Sequence, residues 1–164
     1  MADRYASSEI VEMGIQIEKN GMKFYNWAAD TAKSNELKDV FRFLAKQEES
    51  HIKVFSGILS EIKNYEPKEA FTDEYYSYLR LLAGDHIFTK ANTGEEIAAK
   101  IHTDIDALSM AIKFEKESVL FYYEIKNLVI DDSKKAIDKL IEQEQEHFSK
   151  LSKLKEKVQK GGLL

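Results

Sequence analysis

The chain has 164 residues, a net charge of −5 and no cysteine, which excludes disulfides, cysteine-based zinc or iron–sulfur sites and a cysteine nucleophile. It has one proline and seven glycines, too few turn residues for a β-sandwich or barrel of this length. Charged residues make up 32% of the chain, with Lys and Glu dominating, a composition typical of long helices. The acidic balance disfavours nucleic-acid binding. No apolar run approaches the length of a membrane span or signal core, so we expect a cytoplasmic protein.

Apolar residues recur at helical spacing and predict four long helices. Their approximate ranges are 5–33, 36–64, 106–129 and 134–159. Ser34 and Asn35 form a short break between the first two helices, and the polar residues 131–133 are expected to interrupt the last two. Gly161 and Gly162 end the fourth helix. The short breaks predict two hairpins of antiparallel helices.

The segment between the hairpins carries punctuation residues and two capping signals. The punctuation residues are Pro67, Gly84, Asn92 and Gly94. Thr72 with Asp73 predicts the start of one short helix, and Thr93 with Glu96 forms the capping box of another. We therefore predict a single all-α domain over 1–164. Its predicted parts are a first hairpin at about 5–64, a long crossover with short helices at about 65–104 and a second hairpin at about 105–160.

The two hairpins repeat one another in sequence. EKNGMKFY at 18–25 corresponds to EKESVLFY at 115–122, and LAKQEESH at 44–51 corresponds to LIEQEQEH at 140–147. Four of eight positions are identical in each pair, at offsets of 97 and 96 residues, which indicates a true internal repeat. The repeated polar pairs include Glu18 and Glu115, Glu48 and Glu144, His51 and His147, and Tyr25 and Tyr122.

The repeated glutamates and histidines have the composition of a site for two metal ions. Each Glu-x-x-His pair places a carboxylate and an imidazole on one helix face, because three residues turn a helix by about 300°. Each lone glutamate lies on an apolar stripe, where a carboxylate costs several kcal/mol unless it is paired or metal-bound. Four glutamates balance two divalent cations in charge, and mixed carboxylate and imidazole ligation suits iron or manganese. The predicted ligands are Glu18, Glu48, His51, Glu115, Glu144 and His147.

The sequence leaves more than one role open for two tyrosines and two further histidines. Tyr25 and Tyr122 each follow the lone glutamate of their hairpin by seven residues and return to the same face. They either hydrogen-bond a ligand carboxylate, which makes them candidate catalytic residues, or serve as ordinary core aromatics. His86 and His102 lie in the crossover without a partner motif, so we predict surface or structural positions for them.

With these residues, the chain resembles the rubrerythrin branch of the ferritin-like superfamily over its whole length. The resemblance implies a ferritin-like four-helix bundle that holds two iron ions, with manganese or a mixed metal pair as alternatives. It implies bridging roles for Glu48 and Glu144, terminal ligation of one metal by Glu18 and His51, and of the other by Glu115 and His147.

The sequence departs from the family pattern at two points. Full-length rubrerythrins carry a cysteine-ligated rubredoxin domain, and this sequence has no cysteine, so the electron donor is expected to be a separate protein or iron itself. Rubrerythrins with peroxidase activity usually carry a further glutamate three residues after the third-helix ligand. Ser118 stands at that position here, and Gly21 is its counterpart in the first hairpin.

The resemblance implies an oxidoreductase that reacts with hydrogen peroxide or dioxygen. Two alternatives remain on sequence alone: a ferroxidase or iron-handling protein that takes ferrous iron as substrate, and a metal-binding bundle without redox catalysis. We also expect a homodimer, and no nucleic-acid or membrane partner.

Overall fold

Helices make up nearly all of the described chain. The computed structural model describes residues 7–62, 72–86, 88 and 93–161, and it contains no strand within those ranges. The helices are α1 (Ser7–Thr31), α2 (Asn35–Ile62), α3 (Asp73–Asp85), α4 (Gly94–Ala98), α5 (Asp104–Ile125) and α6 (Asp131–Gln159), with a 3-10 turn at Lys126–Leu128. Five predicted features lie outside the described residues: the helix ends at Tyr5 and Asn64, and Pro67, Asn92 and Gly162.

The long helices form two hairpins that pack into one bundle. Helix α1 packs along α2 and α5 packs along α6, while α1 meets α5 and α2 meets α6 between the hairpins. The short helix α4 lies on α1, and α3 contacts both α1 and α5. This arrangement confirms the predicted all-α bundle of two hairpins joined by a crossover with short helices. In the part of the chain that is described, no helix has both the length and the hydrophobicity of a membrane span.

The junction between α5 and α6 differs from the sequence prediction. Residues 131–133 were expected to interrupt the helices, but they form the first turn of α6. Asp131 and Asp132 fit there because carboxylates near a helix N-terminus interact favourably with the helix dipole. The interruption lies just before them, at 129–130, and α5 already ends at Ile125. The polar run was therefore a helix start rather than a break.

The capping signals in the crossover are confirmed. The Thr72 side chain accepts a hydrogen bond from the backbone N–H three residues later, at 3.2 Å, and starts α3. Thr93 and Glu96 form the reciprocal capping box of α4, with distances of 3.3 and 3.1 Å. A second box, between Thr103 and Asp106, begins α5 and was missed in the sequence. These caps fix where the crossover rejoins the bundle.

A close approach between α1 and α5 requires a glycine at position 21. A Cβ added to Gly21 would lie 2.5 Å from Cζ and 2.9 Å from Cε1 of Phe114. Phe114 is fully buried, with its ring packed between those of Tyr25 and Phe88, so it has little freedom to move aside. The absence of a side chain at Gly21 therefore sets how closely the two hairpins pack.

We expect Gly21→Ala to lower the melting temperature and Gly57→Ala to raise it. At position 21, overpacking against Phe114 costs about 1–3 kcal/mol, which exceeds the gain in helix propensity of about 1 kcal/mol. Gly57 is also helical, but nothing lies within 4 Å of an added Cβ, so only the propensity gain remains. Thermal unfolding followed by circular dichroism measures both. An equal rise in the two variants would contradict the close packing at Gly21.

Candidate metal centre

The six predicted ligand residues meet in the middle of the bundle. Each is at most 5% exposed. Their ligand atoms form two overlapping groups, within each of which the atoms lie no more than 4.8 Å apart. One group is Glu18, Glu48, His51 and Glu144, and the other is Glu48, Glu115, Glu144 and His147. Only Glu48 and Glu144 belong to both groups, and they lie between the other four residues.

Helical spacing accounts for the contact within each Glu-x-x-His pair, and packing between helices accounts for the contacts between the two pairs. His51 Nδ1 lies 3.7 Å from Glu48 Oε2 on the same helix, and His147 Nδ1 lies 3.4 Å from Glu144 Oε2, as expected for residues three apart. Packing of α2 against α6 then brings His51 Nδ1 to 2.7 Å from Glu144 Oε1. The two hairpins thus contribute to one cluster rather than to two separate sites.

The cluster contains polar atoms that the protein itself does not satisfy. Eight buried side-chain atoms of the six residues form no hydrogen bond of acceptable geometry among the described residues, although both histidines lie within ion-pair distance of Glu144. These atoms are Glu18 Oε2, both carboxylate oxygens of Glu48, His51 Nδ1, Glu115 Oε2, both oxygens of Glu144, and His147 Nδ1. Buried polar atoms are normally paired, because leaving one unpaired costs about 1–3 kcal/mol. Carboxylate and imidazole donors in this number fit two divalent cations of the iron or manganese type.

In the absence of metal, protons balance the charge of the cluster. Burial, followed by the charges of Glu18 and Glu144, raises the pKa of Glu48 well above its ordinary value. Burial alone would lower the pKa of His147, but its contacts with Glu115 and Glu144 outweigh burial and raise it to about 10. A metal ion has to displace these protons, so metal binding is expected to release protons.

Two buried tyrosines connect the hairpins through carboxylates of the cluster. The hydroxyl of Tyr25 on α1 donates to Glu115 Oε1 on α5, and the hydroxyl of Tyr122 on α5 donates to Glu18 Oε1 on α1. Both rings are fully buried, so each tyrosine both donates to a cluster carboxylate and packs as a core aromatic, while its catalytic role stays a prediction. By binding Oε1, the tyrosines leave Oε2 of each glutamate facing the cluster, which orients these carboxylates for a metal.

The two histidines of the cluster differ in their surroundings. His51 Nε2 lies 3.2 Å from Gln143 Oε1 of the opposite hairpin, which orients the ring with Nδ1 towards the glutamates. The ring of His147 instead packs edge-to-face with the ring of Phe43, with 5.8 Å between the ring centroids. His147 is 5% exposed, whereas His51 is 1% exposed. The half of the centre around His147 is therefore nearer to solvent. Gln143 was not singled out in the sequence, although it is one of the identical positions of the repeat, matching Gln47.

His86 does not lie at the surface. It is 2% exposed, and burial lowers its pKa to about 3. Its Nδ1 accepts from the backbone N–H of Phe88 at 3.2 Å, and its Nε2 lies 3.3 Å from Ser118 Oγ. The prediction of a surface position is therefore wrong for His86, and the alternative prediction of a structural position agrees with its contacts. His102 is exposed, as predicted.

Comparisons with known proteins agree with this architecture. The family model named Rubrerythrin matches residues 9–155. A Thermotoga maritima protein named as a ferritin-like diiron-carboxylate protein is 28% identical, with 94% of this chain and 97% of that chain covered and a TM-score of 0.69. A hypothetical protein from Pyrococcus furiosus shares the fold at 20% identity and a TM-score of 0.70, with 100% and 96% of the two chains covered. No curated protein matches the sequence significantly. Because the family model covers residues 9–155, which include all six residues of the Glu and His cluster, the chain belongs to the rubrerythrin family.

Proposed function

We propose that this protein is a di-iron oxidoreductase that reduces hydrogen peroxide or dioxygen. The observation that supports it most directly is the pair of overlapping ligand groups that share Glu48 and Glu144. Two cations with two common carboxylates are the expected occupants of such a geometry. The likeness to a Thermotoga maritima protein named for a diiron-carboxylate centre supports iron as the metal.

In this proposal each residue of the cluster has a defined role. Glu48 and Glu144 would bridge the two metals, and each remaining Glu and His pair would complete one metal position: Glu18 with His51, and Glu115 with His147. When bound as ferrous iron, the metal pair would supply two electrons, the number that together with two protons reduces hydrogen peroxide to two waters or dioxygen to hydrogen peroxide.

The protein contributes a site shielded from bulk water and a tyrosine hydroxyl that keeps its proton. The cluster is almost fully buried, so substrate atoms bound there would interact with fixed side chains rather than with bulk water. Burial and the charge of Glu115 raise the pKa of Tyr25 well above its ordinary value. Tyr25 therefore keeps its proton and remains a hydrogen-bond donor to Glu115 Oε1.

Iron handling is a second candidate function that uses the same centre. Ser118 occupies the position at which peroxidase rubrerythrins usually carry a further glutamate, and this difference weighs against peroxide as the substrate. The predicted homodimer, cytoplasmic location and separate electron donor stay predictions from the sequence.

Anaerobic loading with ferrous iron followed by stopped-flow mixing tests the proposal. We expect two irons per chain and rapid oxidation, faster with peroxide than with dioxygen if the protein is a peroxidase. Faster reaction with dioxygen and continued oxidation of added ferrous iron would favour iron handling instead. The variant Glu146→Ala, two residues from Glu144 and exposed, should behave like the native chain. A fully loaded protein that neither oxidant oxidises would contradict both functions.

A further inference from the structure

A buried chain of hydrogen bonds connects the crossover to helix α5. The backbone N–H of Phe88 donates to His86 Nδ1 at 3.2 Å, and His86 Nε2 lies 3.3 Å from Ser118 Oγ. His86 is 2% exposed and Ser118 is 0% exposed. Neither side chain belongs to the cluster of six ligand residues, and the proposed function gives neither of them a role.

The direction of these bonds leaves one hydrogen unused. The contact with the backbone N–H of Phe88 assigns Nδ1 as an acceptor, since the other group near it, Glu117 Oε2, lies 3.7 Å away and beyond hydrogen-bond distance. The low pKa of His86 keeps the ring neutral, so its single proton is assigned to Nε2. The Nε2–H group therefore donates to Ser118 Oγ, so the hydroxyl hydrogen of Ser118 is free to be donated elsewhere. No other hydrogen bond of Ser118 is found among the residues that the structure describes. A buried donor of this kind normally has an acceptor.

The position of Ser118 on α5 indicates where that acceptor would lie. Ser118 lies between Glu115, three residues before it, and Tyr122, four residues after it, and all three are fully buried. At 1.5 Å per residue, Ser118 is displaced by about 4.5 Å along the helix axis from Glu115. The carboxylate of Glu144 acts electrostatically on His86, so the His86–Ser118 pair lies within the field of the candidate metal centre.

The two hairpins differ at this position. The counterpart of Ser118 in the repeat is Gly21, which offers no side chain and is covered by the ring of Phe114. One side of the centre therefore has a hydroxyl donor that His86 orients, while the equivalent place on the other side is apolar. This asymmetry would distinguish one face of an otherwise repeated metal site.

We propose that Ser118, oriented by His86, donates a hydrogen bond to a small oxygen ligand bound at the metal centre, such as water, hydroxide or peroxide. This inference rests on the proposed dimetal centre and adds a positioning residue and a specificity element to it. The hydroxyl stabilises an anionic ligand atom that comes from outside the protein, since no group of the described chain accepts its hydrogen. His86 acts through Ser118 and has no direct contact with the ligand.

Azide binding to the diferric protein tests this inference without measuring turnover. Azide is a small anionic ligand, and its binding to ferric iron is followed by absorption. We expect Ser118→Ala to raise the Kd for azide about tenfold, the effect of losing one hydrogen bond to a charged group. Iron content is measured on the same samples, so that a loss of metal is recognised separately.

The His86 variants test whether the two residues act together. His86→Leu should weaken azide binding about as much as Ser118→Ala, and the double variant should be no weaker than either single variant. His86→Gln retains an N–H group for Ser118 and should bind azide nearly as well as the native chain. His102→Leu changes an exposed histidine of the same crossover and serves as the control.

An unchanged azide Kd in Ser118→Ala with two irons still bound would overturn this inference and leave the proposed function intact. A lower melting temperature in that variant with the same Kd would show that the His86–Ser118 pair only holds the crossover on the bundle. A native chain that binds no iron would overturn both the inference and the proposed function. If His86→Leu does not fold, the comparison of Ser118→Ala with the native chain decides the question alone.

Discussion

Replacing Glu48 or Glu144 with alanine is expected to weaken both metal positions at once, whereas replacing Glu18 or Glu115 should weaken only one. Glu48 and Glu144 belong to both groups of ligand atoms, and the other two glutamates belong to one group each. The loss should exceed the roughly 10- to 100-fold drop in affinity seen when only a residue behind a metal ligand is removed. It should also leave two cations with insufficient negative charge to hold them together.

Metal content after anaerobic iron loading and gel filtration measures this difference. We expect the Glu18→Ala variant to retain about one iron per chain and the Glu144→Ala variant to retain clearly less, because a shared ligand serves both positions. Oxidation kinetics should follow metal content, since the reduction of peroxide needs both electrons. Circular dichroism on each variant establishes that the helices are intact.

Neighbouring surface glutamates provide matched controls. Glu49 follows Glu48 on α2 and pairs with Lys53 at 3.1 Å in an exposed ion pair, which contributes little to stability. Glu49→Ala should therefore bind two irons and react as the native chain does. If Glu48→Ala also binds two irons with unchanged kinetics, the bridging role assigned to Glu48 is wrong.

The six cluster residues could be predicted because a repeat and helix periodicity act together. A Glu-x-x-His pair fixes its own geometry, since residues three apart share a helix face whatever surrounds them. The second copy, Glu144 with His147, indicated that both pairs contribute to one metal site. Burial identified the other two members of the cluster. The carboxylates of Glu18 and Glu115 lie on apolar stripes and therefore need a partner inside the bundle.

The contacts between hairpins could not be derived in the same way. Tyr25 lies seven residues, about 10.5 Å along the helix axis, from Glu18, which is too far for a hydrogen bond within α1. Its partner is Glu115 of the other hairpin, and no local spacing shows which residue of a neighbouring helix lies opposite. The burial of His86 depends in the same way on how the crossover returns over α5. An isolated histidine without a motif carries no signal of that path in the sequence.

We expect Glu48→Gln to raise the melting temperature of the metal-free protein and to remove most of its stabilisation by metal. Both carboxylate oxygens of Glu48 are buried without a hydrogen-bond partner. Burial and the nearby charges of Glu18 and Glu144 raise its pKa well above the ordinary value. At neutral pH the metal-free protein must therefore bind a proton at Glu48 when it folds, and this requirement opposes folding. Glutamine keeps the shape, carries no charge and offers an amide N–H to the neighbouring carboxylates.

The rise in melting temperature without metal and the loss of stabilisation by metal have separate physical origins, so their expected sizes are calculated separately. Relief of an unpaired buried group is worth about 1–3 kcal/mol, and in a chain of this length each kcal/mol shifts the melting temperature by about 2–4 °C. Metal at a hundredfold excess over its Kd adds about 2.7 kcal/mol to the native protein. Most of that second term should disappear in the variant, because amide nitrogen and neutral amide oxygen replace a bridging carboxylate.

Calorimetric melts in chelator and in excess manganese(II), which avoids oxidation during heating, measure both terms in one series. Glu49→Gln alters an exposed glutamate of the same helix and should change either melting temperature by no more than about 1–2 °C, the effect of a surface substitution of about 0.5 kcal/mol. If Glu48→Gln lowered both melting temperatures equally, the cluster would be a structural network of protonated side chains that stabilises the bundle by itself. A higher melting temperature without metal together with a lower one in excess metal would lead to a different conclusion. The buried carboxylates then destabilise the fold until cations occupy the centre, which is the behaviour of a site shaped for metal binding rather than for stability.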